Sequence, residues 1–236
     1  MKMAVKYSTV LFDADNTLLD FDKDESCALR KVMKLYGVPV TEENVSKYSE
    51  INLGMWKALE RGEITKPELK RTRFRKFFDA IGFQTDADVY EVNERYLSFL
   101  AEGGNTLAGA VELCRELKEK GYDLYIVTNG IEKTQKNRLK KSGLLPFFTE
   151  IFVSEAIGHQ KPKREYFDYV LSHIGEMDTE KVILVGDSLT SDIKGAVESG
   201  ITCVWLNLKN QELPEEYSPD YVIRDIREAR EILYEG

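Results

Sequence analysis

The sequence predicts a three-layer α/β fold: a parallel sheet covered by helices on both sides and interrupted once by an all-helical insertion. Three observations predict it. Strand-like and helix-like segments alternate from Ala110 to the carboxyl end, the pattern of successive βαβ units. One apolar strand opens the chain and ends abruptly in an acidic cluster, Asp13-Ala14-Asp15-Asn16-Thr17. Between these two regions lie roughly 80 residues of helical periodicity with no strong strand signal.

Taken in order, Lys6 to Phe12 is rich in Val, Tyr, Thr and Phe and reads as a buried strand. From Asp22 to Ala101 the pattern is helical. Ala28, Leu29, Val32, Leu35 and Tyr36 share one face; Val45, Tyr48, Trp56 and Leu59 mark a second helix; Phe74, Phe77, Phe78 and Ile81 mark a third; Val89 to Leu100 forms a fourth. A helix carrying Ala110, Leu113, Cys114 and Leu117 then stops at Gly121, a suitable C-cap. Strands follow at Leu124–Val127, Glu150–Val153, Val182–Val185, Thr202–Leu206 and Tyr221–Ile223. Helices are expected at Glu132–Ser142, Arg164–Ile174 and Ser191–Ser199, with a terminal helix placing Ile226, Ala229, Ile232 and Leu233 on one face. The core, Rossmann-like in this alternation, is expected over residues 1–18 and 103–236, and the helical insertion over residues 19–102.

Composition narrows the function. The 236 residues carry 33 basic and 41 acidic side chains, a formal charge of −8, so there is no basic stripe for a nucleic-acid polymer. Single phosphorylated metabolites stay open, because a bound cation can supply positive charge locally. The start, Met1-Lys2-Met3-Ala4-Val5-Lys6, is too short in apolar residues for a signal peptide, and no 18-residue apolar run follows. A cytoplasmic protein without membrane partners, a monomer or small homo-oligomer, is expected. Cys27, Cys114 and Cys203 are too scattered for a CxxC metal site or a disulfide framework.

Four polar segments sit just after predicted core strands: Asp13 to Thr17, then Thr128-Asn129-Gly130, then Lys161-Pro162-Lys163, then Gly186-Asp187-Ser188-Leu189-Thr190-Ser191-Asp192. A parallel sheet brings all strand carboxyl ends to one edge, so segments 115, 33 and 26 residues apart can converge. Gathered carboxylates repel unless a cation joins them, and an all-oxygen set suits Mg²⁺. Thr128, Asn129 and Lys161 remain as donors, so the pocket complements a phosphate ester. One carboxylate can attack phosphorus, forming an acyl phosphate. The acid two residues along can protonate the leaving alkoxide and then activate water.

In order and spacing these motifs resemble the haloacid dehalogenase-like hydrolase superfamily across nearly the whole chain. The resemblance implies Asp13 as nucleophile and metal ligand. Asp15 would be the general acid/base and lend its backbone carbonyl to the metal. Thr128 and Lys161 would bind the phosphoryl group. Asp187 would complete the Mg²⁺ site, with Asp192 bound directly or through an intervening group. The insertion resembles the all-helical cap domain of one subgroup. Dehalogenases of the family lack the second aspartate, so Asp15 disfavours that activity. The texture LFDADNTLLDF with GDSLTSDIKGAVESG is similar to the pyrimidine 5′-nucleotidase branch. It implies a Mg²⁺-dependent phosphomonoesterase for nucleoside 5′-monophosphates, the alternatives being a sugar-phosphate phosphatase or phosphomutase, or a catalytically silent binding module.

Plainer readings stand beside these. Asp13 and Asp15 could form an ordinary acidic turn, Asp187 and Asp192 could cap the helix starting near Thr190, Lys161 could be a solvated loop charge, and Thr128 to Gly130 a simple turn. Gly186 to Leu189 spells the opening of GDSL-type lipases, but those carry their serine near the amino terminus with a catalytic histidine downstream. Here His159 and His173 both precede it. His159 is expected in a loop, His173 as a structural residue, and Phe74, Phe77 and Phe78 as bundle core.

Overall fold

A computed structural model describes residues 6–176 and 178–234. Met1–Val5, on which the absence of a signal peptide was partly read, lie outside the described residues. The chain divides into two compact units, one running to Asp20 and resuming at Gly104, the other Phe21–Gly103. Leu18 and Leu19 are buried in the core of the first unit. Asp20 donates its amide to the Asn105 carbonyl at 2.9 Å. These contacts carry the first unit two residues past Leu18.

The first unit holds six strands: β1 (Thr9–Phe12), β2 (Asp123–Thr128), β3 (Glu150–Val153), β4 (Val182–Gly186), β5 (Thr202–Leu206) and β6 (Tyr221–Ile223). All neighbours pair in parallel, in the order β3-β2-β1-β4-β5-β6. β1 therefore lies inside the sheet, and Phe12 pairs with both Ile126 and Val185. The order reverses at β1, and such switch points are where open α/β sheets bind ligands. The ladder starts at Thr9, later than the apolar run suggested, because Lys6 is exposed and Tyr7 and Ser8 enter with irregular backbone.

Period-2 alternation distributes the core over two faces. Val10, Phe12, Leu124, Ile126, Ile183 and Val185 pack with α5 (Ala110–Glu119) through Leu113 and Leu117. Leu11, Val127, Leu184 and Cys203 pack on the other side with Tyr166 and Phe167 of α8 (Arg164–Ile174) and Ala196 of α9 (Lys194–Glu198). Around α5 and α8 run α6 (Glu132–Lys141), α7 (Ser154–Ile157) and α10 (Ala229–Tyr234). One expected helix differs: Ser191–Ser199 resolves into a wide turn over Leu189–Ile193, followed by α9. The three cysteines are unpaired, and no described helix is long and apolar enough to cross a membrane.

The second unit consists of α1 (Phe21–Tyr36), α2 (Glu42–Glu60), α3 (Lys66–Ala80) and α4 (Val89–Leu100). Their starts are chemically marked: Thr41 caps α2, Asp88 caps α4, and Thr65 with Glu68 forms a reciprocal capping box on α3. α1 packs on α4, α4 on α3, and α3 on α2. Phe74 and Phe77 are buried against Tyr48, Phe74 also against Tyr96, and Phe78 packs on Phe74 and Phe77, all as bundle core.

Candidate active site

The parallel register brings the four polar segments to one edge of the sheet. Asp13 follows β1 and donates its amide to the Val185 carbonyl at 2.9 Å, so its backbone extends the ladder. Its carboxylate Oδ1 accepts from Lys161 Nζ at 2.6 Å. Lys161 is buried and donates also to Asp192 Oδ1 and to the Val127 carbonyl, each at 2.7 Å. The ammonium thus has all three protons assigned.

Asp192 is buried on the wide turn before α9, and its Oδ2 accepts the Ser188 amide at 3.1 Å. Gly186 makes that possible. A Cβ there would collide with the Asp192 carboxylate. Asp187, half-buried, completes a cluster in which one carboxylate oxygen each from Asp13, Asp187 and Asp192 lie within 4.8 Å of one another.

Three carboxylates face one ammonium. Burial pushes the Asp13 carboxyl up; Lys161 pulls it down, while Asp192 and Asp15 push it further up, and the balance stands at about 7. Asp187 is raised by burial first, then by Asp13 and Asp192. Burial alone would lower Lys161, but Asp13 and Asp192 outweigh it and hold the ammonium above its ordinary range. With all groups ionised the cluster carries an excess of two negative charges. A hard divalent cation neutralises that excess, and the all-oxygen donors suit one. The residues present therefore fit Mg²⁺.

Asp15 is turned away from this cluster. Its Oδ1 pairs with Arg138 and its Oδ2 accepts from Gln135 Nε2 at 2.8 Å. Thr128 ends β2 with its hydroxyl oxygen accepting from Gln135 Nε2 at 3.0 Å. Asn129 does not offer its side chain as the free donor expected of it: Nδ2 donates to the Lys161 carbonyl and Oδ1 accepts the Lys161 amide, both at 2.9 Å. It fastens the Lys161 loop. His159 is exposed in the loop after α7, and His173 stacks on Tyr169 at 3.8 Å.

Gln135 and Arg138 were missed in the sequence. Helix α6 reads Glu-Lys-Thr-Gln-Lys-Asn-Arg-Leu-Lys-Lys, which resembles a solvated face. The available signal was that a helix covering a buried sheet must present some face to it. The face bearing Leu139, its only apolar residue, also carries Thr134, Gln135 and Arg138.

Fold and site together define a hydrolytic α/β enzyme with a cation-ready acidic centre. The family model for haloacid dehalogenase-like hydrolases matches residues 10–206. HAD-hydrolase YfnB of Bacillus subtilis is 42% identical over 228 residues, covering 97% of this chain and 96% of its own. Its crystal structure, bound to magnesium, superposes with a TM-score of 0.91, covering 97% of this chain and 99% of that one. Pyrimidine 5′-nucleotidase PynA of Streptococcus pneumoniae is 38% identical, covering 96% of this chain and 95% of its own. Pyrimidine 5′-nucleotidase YjjG of Escherichia coli is 31% identical, covering 97% and 99%. The chain belongs to the haloacid dehalogenase-like hydrolase family, and it is a phosphatase of that family.

Proposed function

We propose that the protein is a Mg²⁺-dependent phosphomonoesterase that works through an aspartyl phosphate on Asp13 and acts on nucleoside 5′-monophosphates. The observation that carries the chemistry is the separation of the two N-terminal acids. Asp13 joins the buried Asp187–Asp192–Lys161 cluster, while Asp15 is held outside it by α6. The nucleotide preference is supported by two full-length relatives named pyrimidine 5′-nucleotidases.

Asp13 and Asp187, with the Asp15 carbonyl and Asp192 directly or through an intervening group, would hold Mg²⁺, which offsets phosphoryl negative charge. The Thr128 hydroxyl binds a phosphoryl oxygen, Lys161 places its positive charge beside Asp13 to offset the phosphoryl charge, and Asn129 keeps the Lys161 loop in place. The Asp13 carboxylate attacks phosphorus as the ester P–O bond breaks. Asp15 gives its proton to the departing 5′-oxygen, so the nucleoside leaves neutral. Asp15, now a carboxylate, takes a proton from the water that attacks the acyl phosphate. Inorganic phosphate leaves and free Asp13 returns. Residues 21–103 serve as the family's cap domain.

The test is phosphate release from nucleoside monophosphates and sugar phosphates, with Mg²⁺ and with EDTA. Mg²⁺-dependent turnover favouring 5′-nucleotides is expected. Turnover on sugar phosphates alone would remove the nucleotide assignment and keep the chemistry; turnover undiminished by EDTA would remove the mechanism.

A further inference from the structure

Helix α6 carries more buried polar chemistry than a covering helix needs. Gln135 and Arg138, one helical turn apart, are both buried. Arg138 Nη1 pairs with Asp15 Oδ1 and donates to Gln135 Oε1 at 3.1 Å. Gln135 Nε2 donates to Asp15 Oδ2 at 2.8 Å and to Thr128 Oγ1 at 3.0 Å. Each Asp15 oxygen therefore has its own donor. Thr128 Oγ1 also accepts the Gly130 amide at 3.1 Å. A hydroxyl oxygen that accepts twice keeps its own proton to donate elsewhere. Gly130 admits the arrangement, since a Cβ there would stand 2.6 Å from Gln135 Nε2.

We propose that Gln135 and Arg138 are positioning residues of the phosphoryl-transfer site. They fix the Asp15 carboxyl for proton transfer to the leaving oxygen, and through one shared amide they orient Thr128 as a donor to the phosphoryl group. This rests on the phosphomonoesterase reading above. Two consequences follow from the contacts. The Arg138 pair keeps the Asp15 side chain from swinging into the Asp13–Asp187–Asp192 cluster, where it would add a further negative charge. Both donors also face the carboxylate that Asp15 becomes on losing its proton, so they complement charge as it develops there. A general acid contributes only from the correct geometry, and a short carboxylate without two anchors would sample several rotamers.

The test compares kcat/KM on a nucleoside 5′-monophosphate, whose alkoxide needs a proton to leave, with kcat/KM on p-nitrophenyl phosphate, whose phenolate leaves without one. This ratio reads formation of the aspartyl phosphate alone, apart from its later hydrolysis. Arg138→Met is expected to lower the nucleotide value by roughly 10- to 100-fold and the p-nitrophenyl phosphate value by less than about fivefold; Gln135→Leu, which also releases Thr128, should lower both values, the nucleotide value by about tenfold more. Arg138→Lys should recover part of the ratio. Adding Arg138→Met to Asp15→Asn should cost no further selectivity, because both act through one group. Equal losses on the two substrates, or an unchanged ratio, would overturn the inference. Arg138→Lys and Gln135→Leu carry the test even where Arg138→Met does not fold. If Asp15→Asn itself changes both substrates alike, the phosphomonoesterase mechanism fails. If Asp15→Asn is selective and the α6 variants are not, only the positioning role fails.

Discussion

Lys161 in the sheet unit and Arg73 in the helical unit are both buried cations, and they keep different company. Arg73 sits in a set whose charges balance, although its Nη2 has no hydrogen-bond partner among the described residues. Its Nε donates to Asn93 at 2.7 Å, its Nη1 to Asn52 at 3.3 Å, and its guanidinium lies 4.6 Å from the Tyr96 ring centroid. Asn52 in turn donates to Glu25 at 2.7 Å, and Ser49 donates to the other Glu25 oxygen at 2.6 Å. One cation, one anion and neutral amides between them tie α1, α2, α3 and α4 together. Lys161 instead faces Asp13 and Asp192 with Asp187 nearby, and charge is left over. Burying ions is tolerable when they are matched. The matched set holds helices in place; the unmatched one is poised for a ligand.

The largest effect is expected at Asp13. Asp13→Asn should lower turnover by at least about 10⁴-fold, read as phosphate release with Mg²⁺. The same change should raise the melting temperature in EDTA by a few degrees, because it removes one member of a repelling cluster. A fall would show that the carboxylates are balanced after all. Arg73→Met should do the reverse in the helical unit, costing about 3–5 kcal/mol and leaving Glu25 buried without its counter-charge. Denaturant unfolding would measure it, and a loss below about 1 kcal/mol would mean that the pair is solvated.

The acidic cluster of the sheet unit responds to pH. The folded Asp13 carboxyl stands at about 7, above its ordinary 3.8, so its contribution to stability is full below the ordinary value and is lost as pH rises through about 7. The melting temperature in EDTA should therefore decline from about pH 4 to about pH 7. Saturating Mg²⁺ should abolish that decline. Mg²⁺ affinity, measured by calorimetry, should fall about tenfold for each pH unit below about 7; a flat profile would remove Asp13 from the cation's ligands. The smallest effect is local. Thr65→Ala removes one side of the α3 capping box and should cost about 1 kcal/mol, with Mg²⁺ affinity unchanged.

Much of this was legible in the sequence because the elements obey local rules. β3, α8, β5 and β6 fall where their apolar runs put them, and the four polar segments meet because a parallel sheet leaves them no other edge. The misses have one physical origin, side chains that serve distant partners. Arg138 bonds to a residue 123 positions away, so nothing in the run of lysines around it marks it as buried. The expected start of a helix at Ser191 gives way to a wider turn because Asp192 must reach Lys161 and the Ser188 amide together. Asn129 looked like a donor to substrate, and only the fold reveals that its amide faces the Lys161 backbone.

The place of β1 has a last consequence, in the time domain. A central strand bonded on both sides opens only with the whole sheet, so the Asp13 amide is expected to exchange its hydrogen slowly. Asp15, two residues on, lies in a tight turn where Asn16 adopts a left-handed backbone at φ 56°. The carboxylate proposed to attack is thus mounted directly after a strand bonded on both sides. Asp15, the proposed proton carrier, is held instead by one backbone bridge to Leu19 and by its side-chain bonds to Gln135 and Arg138.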